Sequence, residues 1–339
     1  MSGVKQPGSA ERNLDKRWLP GFAALAVLPW IVPSSYIVHL MVQVLLWSFI
    51  YTSWSLMGRF GLVSFGHGAF MGIGAYVVVL LWNLFGLSPW IGIPLGIVLA
   101  VAVAVLIGYP CFRFGIAGHY FALVTLALTE VVRSVIVALR DTTGGSLGIT
   151  PNNVLTDGTT WSITAVQFAD KRVFFYIALA LWAFGIWVWH RIDRSMMRYA
   201  MEAIGSDEQA SASVGVNVTR TKLTITMISA ALTALGGALF GQYQQYVNPE
   251  TVAGIGVSLQ IVFAVIAGGM FVRFGPTVGA VFTLLLTEGL RVGIGNKINA
   301  LDSTIYGLML VLFIIYMPNG ILGKLFEKMR GRIGQSGAA

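Results

Sequence analysis

Charge is scarce in this sequence. The 22 Lys and Arg with 14 Asp and Glu make up 11% of 339 residues, less than half of the roughly 25% that a soluble domain carries. That shortage excludes a water-soluble fold of this size, which would need far more polar surface. Cysteine is almost missing: Cys111 is the single one, so neither an intrachain disulfide nor a cysteine-based metal site can form. It stands among Tyr109, Pro110 and Phe112 and reads as an inert, small apolar residue. The four histidines, His39, His67, His119 and His190, share no metal-ligand spacing. There is no Walker A pattern, because the lone Gly-Lys pair, Gly323-Lys324, lacks the upstream glycine. If ATP drives this protein, a separate chain must bind it.

What the chain has instead is apolar length. Hydrophobic residues reach 56% and the mean hydropathy is +0.77. At about 20 residues per crossing, with loops allowed for, eight to eleven membrane helices fit. Forty glycines suit tight helix packing in lipid. The runs fall at about 19–33, 36–57, 65–85, 90–108, 119–139, 173–190, 223–247, 258–271, 275–290 and 303–317, which makes ten. The expected fold is therefore an all-α integral membrane protein. Its parts are a cytoplasmic segment 1–18, a membrane domain 19–317 and a basic cytoplasmic tail 318–339. Residues 1–18 do not read as a cleavable signal peptide. Placing both termini in the cytoplasm puts sixteen of the 22 basic residues on that side. The net charge of +8 is thus explained by membrane orientation, and nothing interleaves basic patches with stacking aromatics as nucleic-acid binding would require.

Two loops are long. The outer one, about 140–172, carries Asp141-Thr142-Thr143-Gly144-Gly145-Ser146. The inner one, about 191–222, is rich in small residues and predicts a short helix outside the membrane, stopped by a glycine cap at Gly215. An internal repeat also emerges. Arg113-Phe114-Gly115 leads to Leu128-Thr129-Glu130-Val131-Val132-Arg133, as Arg273-Phe274-Gly275 leads to Leu286-Thr287-Glu288-Gly289-Leu290-Arg291, at offsets of 160 and 158 residues. A glycine-rich helix start is expected before each copy, at Gly66-His67-Gly68 and, more loosely, at Gly236-Gly237. The copies would share one orientation and form parallel repeats.

Glu130 and Glu288 are the acidic residues inside confident spans, each with an arginine, Arg133 or Arg291, on the same helix face. They read either as ion pairs locking helices or as a substrate gate; a proton relay would need a chain of titratable groups that the sequence lacks. His67, flanked by Gly66 and Gly68, reads either as close helix packing or as part of a translocation pathway.

With those motifs in view, the chain resembles the permease subunits of branched-chain amino acid ABC importers. The resemblance rests on Gly61-Leu62-Val63-Ser64-Phe65-Gly66-His67-Gly68-Ala69-Phe70, Tyr120-Phe121-Ala122-Leu123-Val124-Thr125-Leu126-Ala127 and Thr143-Gly144-Gly145-Ser146. It continues through Gly215-Val216-Asn217-Val218-Thr219-Arg220, Ala267-Gly268-Gly269, Phe274-Gly275-Pro276 and Pro318-Asn319-Gly320-Ile321-Leu322-Gly323. These run in family order from about 40 to 323.

The resemblance implies a bacterial inner-membrane protein that is not itself an enzyme. It would pair with a second, paralogous permease and engage cytoplasmic ATPase subunits that hold the ATP. It would receive solute from a periplasmic or extracellular binding protein. The inner loop would be the ATPase-coupling segment, with Glu202, Asp207, Glu208, Ala210 and Gly215, although Gly205-Ser206 stands where charged residues are common in the family. Gly66, His67, Gly68, Gly268 and Gly269 would belong to the pathway or gate. Branched-chain amino acids lead as substrate, with urea, short amides or aromatic acids as alternatives. A self-contained secondary transporter is the competing class, and it would depend on Glu130 and Glu288.

Overall fold

The computed structural model describes residues 18–32, 34–155, 161–293, 307–308 and 320–322. Its helices are α1 (Trp18–Ile31), α2 (Ser35–Gly58), α3 (His67–Phe85), α4 (Pro89–Arg113), α5 (Gly118–Ala138) and the single turn α6 (Arg140–Thr143). There follow α7 (Lys171–Asp193), α8 (Met196–Ser206), α9 (Glu208–Ser213), α10 (Val218–Gln244), α11 (Pro249–Val252), α12 (Ile255–Gly268) and α13 (Gly275–Gly293). Two two-residue strands, Trp161–Ser162 and Gln167–Phe168, pair antiparallel in the long loop before α7.

Among the described residues, seven helical segments are long and apolar enough to cross a membrane: α2, α3, α4, α5, α7, α10 and the α11–α12 stretch. Of the ten expected spans, the first is α1, only 14 residues with Pro29 inside it. The ninth is α13, 19 residues long. The tenth lies outside the described residues except for 307–308, as do 1–17 and most of 318–339.

Helix α2 is the central column, buried from Val42 to Gly58 apart from Val44. Its polar residues are tolerable there because they return hydrogen bonds to their own helix: Ser48 donates to the Val44 carbonyl and Thr52 to that of Ser48. In lipid such groups have no water to fall back on. Helix α4 solves the opposite problem. Gly92, Gly96, Ala100, Ala104 and Gly108 recur every fourth residue and form its buried stripe, while Val98 and Leu106 on the other side are 65% and 70% exposed, facing where lipid would be.

Helices α3 and α10 cross with their backbones nearly touching. A Cβ on Gly74 would overlap the Ala234 carbonyl, and one on Gly237 would overlap that of Met71. This corrects the expected second glycine-rich helix start. Gly236 and Gly237 lie deep inside α10 rather than at its beginning. Small residues serve a helix crossing as readily as a helix start, and the sequence pattern does not distinguish the two.

Candidate functional site

Two features carry the chemistry, one at the end of the bundle with α8 and α9 and one in the interior. At the first, the expected single helix is two. Asp207 breaks it: its backbone is extended, and its carboxylate accepts from the Gln209 and Ala210 amides at 2.9 Å each, capping α9. The far end stops at Gly215 (φ +94°), where the Gly215 and Val216 amides donate to Ala212 and Ser211. Asn217 then caps α10 through the Arg220 amide, 2.9 Å.

One ion pair ties α9 to the bundle, and a second ties the ends of α7 and α2 together just before α8. Glu208 accepts from the Lys222 ammonium at 2.5 Å, and that lysine side chain is only 5% exposed at the start of α10. Asp193, closing α7, accepts from Arg59 at 2.6 Å, just past the end of α2. Arg59 also lies over Trp189, its Cζ 4.1 Å from the ring centroid. Burial pushes its pKa below the ordinary arginine value, and Asp193 partly restores it. Glu202 pairs with Arg198 on the exposed side of α8 at 2.8 Å, holding that guanidinium's pKa above its usual value. Ala210 is exposed, and so is Val214 at 81%. A Cβ on Gly205 would meet the Phe60 carbonyl at an ordinary 3.4 Å, so nothing in the structure explains the Gly205-Ser206 departure.

The second feature is the start of α3. Residues 59–66 turn back into the bundle before the helix begins, so His67 sits fully buried. Thr125, seven residues into α5 and so about 10 Å along it, accepts from the Phe65 amide at 3.0 Å. Thr129 donates to the Phe65 carbonyl at 2.7 Å, Trp54 to that of Ser64 at 2.7 Å, and the Gly68 amide reaches Ser258 at 3.0 Å. The first amides of a helix have no intrahelical partner; here the Gly68 amide finds Ser258 of α12, and the Phe65 and Gly66 amides just before the helix find Thr125 of α5 and Ser64.

His67 Nε2 lies 2.8 Å from Ser229 Oγ, whose single proton goes to the Ser53 carbonyl at 2.7 Å. Nε2 must therefore be the donor, which leaves Nδ1 as a bare acceptor with no hydrogen-bond partner among the described residues.

The structure brings only some of the expected pathway residues together. Gly66, His67 and Gly68 cluster against Thr125 and Ser258. Gly268 and Gly269 sit at the other end of α12, where Gly268 lets Gly275 and Gly279 approach and Gly269 (φ +112°) turns the chain toward α13. Both expected intrahelical ion pairs form. Arg133 holds Glu130 and reaches Glu250 of α11 at 2.7 Å. Arg291 holds Glu288 at 3.0 Å, and Tyr36 of α2 donates to that carboxylate at 2.7 Å. Sequence reasoning missed the roles of Ser53, Ser64, Thr125, Thr129, Ser229 and Ser258; Ser64, Thr125 and Thr129 stand inside the motifs quoted above, but nothing in those motifs ties them to the start of α3.

The chain belongs to the family described as the branched-chain amino acid transport system / permease component, whose profile matches residues 36–314. It is similar to the high-affinity branched-chain amino acid transport system permease protein LivM of Salmonella typhimurium, 32% identical over 298 residues, which is 83% of this chain and 68% of that protein. LivM of Escherichia coli is also 32% identical, over 79% of this chain and 65% of its own length. The chain thus spans about two thirds of the LivM proteins. A probable LivH permease of Methanocaldococcus jannaschii is 22% identical over 80% of this chain and 87% of its own. No solved structure matches the chain significantly.

Proposed function

We propose that this chain is a membrane-spanning subunit of an ATP-driven, binding-protein-dependent importer of branched-chain amino acids. The relatives' names supply the substrate class. The observation that carries the mechanism is the α8–α9 pair, clamped through Glu208–Lys222 to α10 and flanked by Asp193–Arg59 at the end of α7. Helix α10 packs directly on α3, whose broken start holds His67. A push on α9 is thereby delivered to the middle of the bundle through rigid elements.

In this reading α8–α9 faces the cytoplasm and docks an ATPase subunit, which binds the ATP. The exposed small side chains around Ala210 fit a groove on that partner. The loop 140–170 faces the periplasm and a solute-binding protein, and a second permease completes the pathway. Ten spans with both termini cytoplasmic, a membrane domain at 19–317 and a basic tail at 318–339 complete the layout. The turn-and-helix units ending in α5 and α13 are the repeat, both leading away from the cytoplasm.

Co-expression with candidate ATPase and permease partners, followed by leucine uptake in proteoliposomes, tests the proposal. ATP-dependent uptake that needs the binding protein is expected; uptake by the isolated chain along an ion gradient would overturn it.

A further inference from the structure

The connection between α10 and α11 forms one wall of a cavity of about 750 Å³ that the pathway residues above do not touch. Its lining includes Trp47, Phe240, Phe263, Tyr246, Gln260 and Glu250. This wall is held firmly. Ile149 and Val247 exchange backbone hydrogen bonds at 2.8 and 2.9 Å, and Tyr246 donates to the Leu147 carbonyl at 2.6 Å. Gln245 adopts a left-handed backbone (φ +54°) to make the corner, and Asn248 caps α11 through the Thr251 amide at 2.8 Å. The Thr143-Gly144-Gly145-Ser146 turn belongs to the same support. Its Thr143 hydroxyl donates to the Ile136 carbonyl at 2.6 Å, and Gly148 (φ +78°) leaves no room for a Cβ beside the Val247 carbonyl.

Glu250 differs from the rest of the lining in being charged. It shares Arg133 with Glu130, so two carboxylates meet one guanidinium, and the cluster retains one negative charge beside an aromatic surface. That combination matches a primary ammonium attached to an aliphatic body. The carboxylate takes the cation, and the rings shed water against the hydrocarbon.

We infer that this cavity is a subsite of the transport path in which Glu250 receives the α-ammonium of an amino acid while Trp47, Phe240 and Phe263 take its branched side chain. The inference rests on the importer reading above.

The test uses the complete transporter, with both membrane subunits, ATPase and binding protein, reconstituted in liposomes and supplied with saturating leucine-loaded binding protein. Glu250→Gln removes the charge and keeps the shape. Its uptake should fall about tenfold or more, as expected for losing a charge-assisted hydrogen bond, with the yield of assembled complex unchanged. Glu250→Asp, which restores the carboxylate, should recover a substantial part of that rate. Uptake by Glu250→Gln within about twofold of the parent, or an aspartate variant no better than the glutamine one, overturns the subsite while leaving the importer reading intact. Loss of assembly in both variants would make Glu250 a structural tie and overturn the subsite too. Failure of the parent complex to take up leucine at all would instead overturn the importer reading, and the subsite with it.

Discussion

Lys222 and Glu208 meet at 2.5 Å, with the lysine side chain almost wholly withdrawn from solvent and the carboxylate more than a third exposed. One end of this bond is on α10, which crosses α3 backbone to backbone; the other is on α9, the helix proposed to face the ATPase. In the proposed mechanism this bond connects the partner-facing helix to α10, whose Ser229 meets His67 at the buried start of α3.

Glu208→Gln should therefore weaken coupling more than folding. The buried ammonium loses its counter-charge at a cost of about 1–2 kcal/mol, discounted because the carboxylate is partly solvated. Leucine imported per ATP hydrolysed should drop about tenfold in reconstituted complex. An unchanged ratio would remove Glu208 from the route.

The α3–α10 crossing should tolerate no added bulk. Gly74→Val or Gly237→Val forces the helices apart, at a cost of about 3 kcal/mol or more. A clear loss of folded protein by fluorescence-detected size exclusion is expected, whereas Gly256→Ala, where a Cβ meets nothing within 4 Å, should be recovered normally.

Ser229→Ala should loosen the site around His67. It removes the acceptor for Nε2 and the donor to the Ser53 carbonyl together, leaving buried groups unsatisfied at about 1–3 kcal/mol. Ser229→Thr, which keeps the hydroxyl, should retain more of the melting temperature than alanine does.

Replacing both Glu130 and Glu288 by Gln separates importer from secondary transporter. Glu130 holds Arg133, which reaches Glu250 of α11, and Glu288 ties α13 to α2 through Tyr36; a protein driven by ATP needs no titration there. Reduced stability with residual ATP-dependent uptake is expected; complete loss of uptake from a normally assembled complex would favour ion coupling.

The helices were legible in the sequence wherever an apolar run met a hard boundary. Helix α3 ends at Phe85 as expected because Gly86 (φ +64°) closes it, and α9 stops at Gly215 for the same reason. The Glu-Arg pairs were legible because three-residue spacing places them on one helix face. The partners of His67 and Gly68 were not, since Ser229 and Ser258 lie far away along the chain and a serine in an apolar helix carries no directional signal. The break at Asp207 was missed because its capping role depends on local backbone geometry. Glu250 was passed over because it lies between two apolar runs, in a stretch that folds back against α3 and α5 rather than staying clear of the bundle.

The central claim, that ATP hydrolysed on a partner moves a branched-chain amino acid past this chain, is tested most directly by radiolabelled leucine uptake in proteoliposomes holding the whole complex with no ion gradient. Uptake that requires ATP inside the ATPase-facing compartment and loaded binding protein on the other side is the result expected here. Uptake driven by a sodium or proton gradient without ATP, or none with ATP and every partner present, would contradict it.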